Sequence, residues 1–233
     1  MSVIYPLESK AVHPQLDEPT YTYAPSFAPK KPLILLPPTL SELTGPVYGH
    51  DSVREHDFDL TRQHDGVPMG EKIIVYGKVL DEDGRPVPDT LVEIWQANAS
   101  GRYIHVDDEG NPPLDPNFDG TGRVVTDADG AYRFITIKPG AYSLGGDSRR
   151  WRPAHIHVSL FGTAFASRLV TQMYFPGDPL QKYDPIFQSV HDESARNRLV
   201  ASLDLEASTP GSALAYRFDY VLRGRNATPQ DND

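Results

Sequence analysis

The chain has no cysteine, which excludes disulfides, iron–sulfur clusters, thiolate zinc sites and cysteine nucleophiles together. Any metal must be held by His, Asp, Glu or Tyr. Positive charge is also scarce: 22 Lys and Arg stand against 32 Asp and Glu, a net charge of −10. Nucleic-acid phosphates demand a basic face, so this balance argues against a nucleic-acid partner. No apolar run approaches the roughly 18 residues that span a bilayer. The opening residues show no basic region followed by an apolar one, the mark of a secretory signal. The expectation is a cytoplasmic protein with no membrane partner. Proline and glycine are plentiful instead, 22 and 18 of 233 residues. Proline removes a backbone donor and clashes inside helices, which argues against a helical bundle.

Residues 1–68 differ from the rest. Nine prolines from Pro6 to Pro46 preclude regular structure over most of the segment, yet Tyr21, Tyr23, Phe27 and Leu33–Leu36 are too apolar for a solvated tail. An extended arm lying over another surface, a partner chain's among them, fits both facts. Thr39 and Glu42 have the spacing of a capping box, which predicts a short helix ended at Gly45-Pro46. From about residue 69 to 226 the pattern is one of strands, followed by a tail over 227–233. Expected strands are 72–80, 90–96, 122–126, 131–137, 154–161, 169–175 and 214–222, bounded by turn residues such as Asp81-Glu-Asp-Gly84 and Asp127-Ala-Asp-Gly130. Seven short strands of this kind predict an all-β fold, an antiparallel β-sandwich. One helix is expected after Asp192-Glu193, with Ala195, Leu199, Val200 and Leu203 on one face.

The sharpest local feature is Trp151-Arg-Pro-Ala-His-Ile-His157. On a strand, His155, His157 and Ser159 share one face and Ile156, Val158 and Leu160 the other. The aliphatic face suits a core, which leaves two imidazoles side by side opposite it. They would either be surface residues or present two nitrogens to a metal. A carboxylate completing a ferrous triad could come from Asp127, Asp129, Asp147 or Asp178, all in turns. A rival cluster is His50-Asp51, His56-Asp57 and His64-Asp65 in one polar loop. Tyr103, in Ala99-Ser-Gly-Arg-Tyr103, and Tyr142, in Lys138-Pro-Gly-Ala-Tyr142, open another route. Phenol has an ordinary pKa of about 10, and only a strongly charged cation would favour the phenolate. Tyrosine ligands therefore point to ferric iron; singly, each tyrosine would be an amphipathic residue at a sheet rim.

Five blocks carry a resemblance. Residues 91–103, 114–118 and 137–142, Trp151-Arg-Pro-Ala-His-Ile-His157 and Gln172-Met-Tyr-Phe-Pro-Gly-Asp178 closely resemble, in order, the intradiol ring-cleaving dioxygenases. The resemblance runs from about Tyr21 to Arg225. The proline-rich arm, in place of a helical dimerisation region, places the chain with the protocatechuate-cleaving branch. That resemblance implies one non-haem Fe(III) held by Tyr103, Tyr142, His155 and His157, with water or hydroxide completing the shell. Tyr142 matches the axial tyrosine released when substrate binds, and Tyr103 the one that stays. Arg152 matches the catalytic arginine. Gln172 and Trp95 match residues beside the substrate, and Tyr21 a tyrosine that meets its carboxylate.

The implied reaction is cleavage of protocatechuate (3,4-dihydroxybenzoate) by O2 to 3-carboxy-cis,cis-muconate. The implied partner is a homologous α subunit in an αβ oligomer. One departure from the family pattern bears on the substrate: Ser143-Leu-Gly-Gly146 stands where Pro-Trp-Arg-Asn is common. Another 4-substituted catechol, such as 4-sulfocatechol, is the alternative, and Arg149 and Arg150 either bind such an anion or form a solvated turn. Two rivals of other kinds remain: a metal-free, transthyretin-like binding module, and a ferrous oxygenase using His50, His56 or His64. Colour separates them, because ferric phenolate absorbs visible light.

Overall fold

The structure is a computed structural model that describes residues 49–105, 108, 112–143, 150–161 and 169–222. Tyr21, Leu33–Leu36, the Thr39–Glu42 turn, residues 144–149 (Asp147 and Arg149 among them) and the C-terminal tail lie outside the described residues.

The described residues form eleven strands: β1 Lys72–Asp81, β2 Leu91–Trp95, β3 Thr121–Val125, β4 Ala131–Ile137, β5 Tyr142–Ser143, β6 Trp151–Arg152, β7 His155–Phe161, β8 Leu169–Tyr174, β9 Ser202–Thr209, β10 Ala213–Arg217 and β11 Tyr220–Leu222. One sheet runs β11-β1-β10-β9, with β4 also paired to β1; a second runs β3-β2-β7-β8; β5 and β6 form a separate ribbon. Pairing is antiparallel except where β1 runs parallel to β10 and β11. The sandwich is as the strand pattern predicts. Ile73, Val75 and Phe134 of the first sheet meet Val92, Ile94, Ile156 and Val158 of the second in one core. Each such side chain contributes roughly 1.5–3 kcal/mol by leaving water.

Four details differ from the sequence reading. The turn at Asp127–Gly130 does not close a hairpin: β3 pairs with β2 and β4 with β1, so it carries the chain between sheets. The last expected strand is split, because Phe218 donates its N–H to Tyr76 O and the Asp219 carboxylate accepts from Lys78 N. Gly77 permits this approach, since a Cβ there would sit 1.8 Å from Phe218 O. The helix after Asp192 covers only Glu193–Asn197, capped by the Asp192 side chain at Ala195 N. Leu199 and Val200 lie beyond it, and Leu203 belongs to β9, an edge strand without an expectation of its own.

Of the stretch assigned to the arm, the described part packs on the sandwich. Leu60 is fully buried in the core, and Ile135 donates its N–H to Phe58 O. No helix among the described residues is long and apolar enough to cross a membrane.

Candidate metal centre and active site

Cross-strand register assembles most of the site. In the second sheet Trp95, His157 and Gln172 stand abreast on β2, β7 and β8, and His155 stands opposite Tyr174. Directly opposed residues and residues two apart share a face, so these five side chains occupy the face away from Ile94, Ile156 and Val158. In the ribbon, Tyr142 is paired directly with Arg152, which brings the Tyr142 ring over the same face. The imidazoles are not on a solvated surface. His155 is 1% exposed, with Tyr142 and Tyr174 against it at ring separations of 5.5 and 5.8 Å. Trp95 stacks on His157 at 4.9 Å and 10°, fixing the plane of that ring.

Tyr103 arrives from a loop. Asn98 organises that loop by accepting, at Oδ1, the N–H groups of Ser100 and Arg102. The Asp108 carboxylate accepts from Tyr103 N at 2.8 Å. Gly101, at φ +83°, packs against the next tyrosine's loop, where a Cβ would lie 2.2 Å from Ala141 O. The Tyr103 ring thus meets Tyr142 edge-on at 5.5 Å and His157 at 6.3 Å. Two phenols and two imidazoles converge, from three separate stretches of sequence.

The electrostatics suit a cation. Burial, then the Arg152 charge, pushes the His157 imidazole down to about 4. The same causes, with His157 added, hold His155 well below its ordinary value. Both rings are therefore neutral near pH 7 and able to donate a lone pair. The His155 ring nitrogen Nδ1 lies 2.7 Å from Pro153 O. A carbonyl can only accept, so Nδ1 carries the proton and Nε2 is the free donor atom; it lies 3.4 Å from the Tyr142 hydroxyl. Burial raises the pKa of Tyr103 and Tyr142, opposed at Tyr142 by Arg152. The Tyr103 hydroxyl is buried and makes no hydrogen bond of ordinary geometry among the described residues, although it faces the Tyr142 phenol. A buried, unsatisfied phenol costs free energy, and a metal ion at this point would remove that cost. The donor set of neutral imidazoles and hard phenols fits ferric iron.

Arg152 lies behind Tyr142 and is 2% exposed. Burial opposes its charge, but contacts with Tyr174, Tyr142 and Asp184 outweigh that and keep it cationic. Its Nη1 is 3.5 Å from the Tyr142 hydroxyl, and its Nη2 donates to Gln172 Oε1 at 2.5 Å. Tyr174 and Asp184 complete this group and were not singled out from the sequence. Tyr174 lies two residues after Gln172 and hence on the same face, a signal the sequence does carry. Asp184 had only a helix-capping signal, with Pro185 next to it.

The other candidates do not join the site. His50 pairs with Asp89 O and His64 with the Asp119 carboxylate. Among the described residues no three His, Asp or Glu side chains gather where they could hold a metal ion. Asp127 accepts from Asp129 N and Ala131 N, and Asp178 from Ala154 N and Leu180 N, so both act as turn organisers.

A sandwich carrying paired phenols, paired imidazoles and a buried arginine on one sheet face defines a class, and sequence comparison agrees with it. A dioxygenase family model matches residues 43–224, and the chain belongs to the intradiol dioxygenase family. It is 54% identical to the protocatechuate 3,4-dioxygenase beta chain of Burkholderia cepacia, over 94% of each chain. The protocatechuate 3,4-dioxygenase alpha chain of Pseudomonas putida is 30% identical, over 84% of this chain and 97% of that one. Among solved structures, 3-chlorocatechol 1,2-dioxygenase from Rhodococcus opacus 1CP matches with a TM-score of 0.58 at 26% identity, covering 74% of this chain and 67% of that one.

Proposed function

We propose that this chain is the iron-bearing subunit of a protocatechuate 3,4-dioxygenase, with Tyr103, Tyr142, His155 and His157 holding one Fe(III) and a homologous α chain as partner. The observation that carries the reading is the convergence of two phenols and two neutral imidazoles around the unsatisfied Tyr103 hydroxyl. The 54% identity to a beta chain of that name supports the substrate, and the relative named as an alpha chain supports the partner.

Ferric iron, held by Tyr103, Tyr142, His155 and His157, would supply a Lewis acid for the catechol and make its ring reactive toward O2. The residues supply the rest. His155, locked by Pro153 O, and His157, locked by Trp95, keep their orientation without needing to move. Tyr142 is the proton acceptor: as the phenolate that a ferric ion would favour, its oxygen takes one catecholic proton and becomes the neutral phenol, and Arg152 Nη1 beside it stabilises that phenolate beforehand. Arg152 also offers fixed positive charge in a dry site where negative charge builds on the opening ring. Trp95 and Tyr174 wall the face and exclude water. Gln172, held by Arg152 and Tyr174, presents a polar edge beside the substrate.

A second reading concerns the ring substituent alone. Ser143-Leu-Gly-Gly146 departs from the family pattern just after Tyr142, which makes another 4-substituted catechol such as 4-sulfocatechol the alternative substrate. The test is iron content, visible absorption and product mass on the αβ complex supplied with each catechol. Tyr103→Phe and His155→Ala are each expected to lower iron per chain and bleach the visible band. Full iron and unchanged colour in both would overturn the ligand assignment, and the preferred catechol decides the substituent.

A further inference from the structure

The Arg152 guanidinium has two edges, and the structure uses them differently. The Nε/Nη2 edge lies side-on against the Asp184 carboxylate, with Nε to Oδ1 at 3.2 Å and Nη2 to Oδ2 at 3.1 Å. This two-point contact is the geometry in which Arg is most strongly oriented. Nη1 is left over, and it is the nitrogen within 3.5 Å of the Tyr142 hydroxyl. Asp184 is itself immobile: it is 0% exposed, and its Oδ1 accepts the Ile186 N–H at 3.1 Å at the start of the helix Pro185–Gln188. The Tyr174 hydroxyl braces the contact, accepting from Nη2 at 3.0 Å and lying 3.2 Å from Oδ2.

We propose that Asp184 is a positioning residue for catalysis: anchored to the backbone of the helix Pro185–Gln188, it clamps one edge of Arg152 so that the other edge faces Tyr142 and the reacting ring. The proposal rests on the catalytic assignment of Arg152 above. The clamp has two physical consequences. It neutralises a cation that would otherwise be buried at high cost. It also removes the rotational freedom of a long side chain, so the charge is already in place when the ring begins to open. Tyr174 is the second member of the clamp.

The test uses Asp184→Asn in the iron-loaded αβ complex. Asparagine can still accept from Ile186 N, so the helix start is kept while the charge and one strong acceptor are lost. The expected result is a fall in kcat of about 10- to 100-fold per iron, with KM for the catecholic acid changed less than about 3-fold. Iron per chain and the resting visible band should remain at parental levels. In an Arg152→Ala background the same substitution should cost nothing further, because a residue that acts through another has no effect in its absence. Should Asp184→Asn fail to fold, Tyr174→Phe serves as the second variant, with a smaller loss, about 3- to 10-fold, that also vanishes without Arg152. An unchanged kcat in the folded variant, or an equal loss in the Arg152→Ala background, would overturn the proposal. Iron content and colour, read on every preparation, report on the ferric site separately from the rate.

Discussion

At the scale of single residues, the site separates groups that give electrons from one that holds charge. His155 and His157 are kept neutral by burial and by the Arg152 charge, and Tyr103 and Tyr142 are phenols that burial alone would keep protonated. Arg152 stays cationic because its partners outweigh burial. Its shape matters as much as its charge, since it meets Asp184, Tyr174, Gln172 and Tyr142 from one planar group. A lysine ammonium is a compact point charge and cannot span that set. Arg152→Lys is therefore expected to keep the iron and the visible band yet lose about 10-fold or more in kcat, with Arg152→Ala losing roughly 10²-fold. Single-turnover rates of ring cleavage under O2 check this, and wild-type turnover in the lysine variant would show that charge alone suffices.

At the scale of elements, two tyrosine loops meet through glycine. Gly101 sits at φ +83° with Ala141 O in the space of its absent Cβ, and a Cβ on Gly140 would lie 2.4 Å from Ala99 O. The backbones of the two loops are thus in contact, and the Tyr103–Tyr142 distance depends on it. Gly101→Ala is expected to push the loops apart, at a cost of roughly 1–3 kcal/mol for the strained backbone. Both the melting temperature and the iron per chain should fall; a variant with parental iron content would show that the loops are set independently. Such contacts explain what was legible in the sequence. β4 lies where its alternation puts it, and β1 extends one residue past its expected end, because strands with one face in the core announce themselves. The pair His155 and His157 was legible for the same reason. β9 was not: as an exposed edge it buries little, and Leu203 fell into helical spacing with Ala195 and Leu199. Tyr103 and Tyr142 were candidates from their glycine-bearing segments, but only the family resemblance joined them to the histidines, because Tyr103 sits in a loop and Tyr142 in a two-residue strand, neither with a periodicity to follow. Asp184 lies 32 residues from Arg152, and no local pattern encodes a contact that arises when β6 and the helix at Pro185 come together.

At the scale of the whole molecule, the charge poses a problem that the site does not solve by itself. The chain carries a net −10, while the proposed substrate is an anion, so attraction has to come from local cations rather than the overall field. Arg152 is already matched by Asp184, which makes it a stabiliser of developing charge and a poor lure for a carboxylate or sulfonate. Several apolar side chains on or beside the segments that build the site are exposed. Val67 is 85% exposed, and Met69, Ile104, Leu114 and Trp151 are exposed as well. Ile104 follows Tyr103, Trp151 precedes Arg152, and Asp115, next to Leu114, accepts the Met69 N–H. Exposed apolar side chains around a functional cleft mark a surface that another chain covers. If the proposed complex forms, the homologous α chain is expected to supply the apolar cover and at least one cation near the substrate's ring substituent. The chain expressed alone is accordingly expected to self-associate or to show a raised KM for its anionic catechol, while co-expression with α restores a defined complex and full activity. Analytical ultracentrifugation and steady-state kinetics on both preparations decide the matter. A soluble monomer with full specific activity and unchanged KM would remove the partner from the substrate pocket and return the search for the missing cation to this chain.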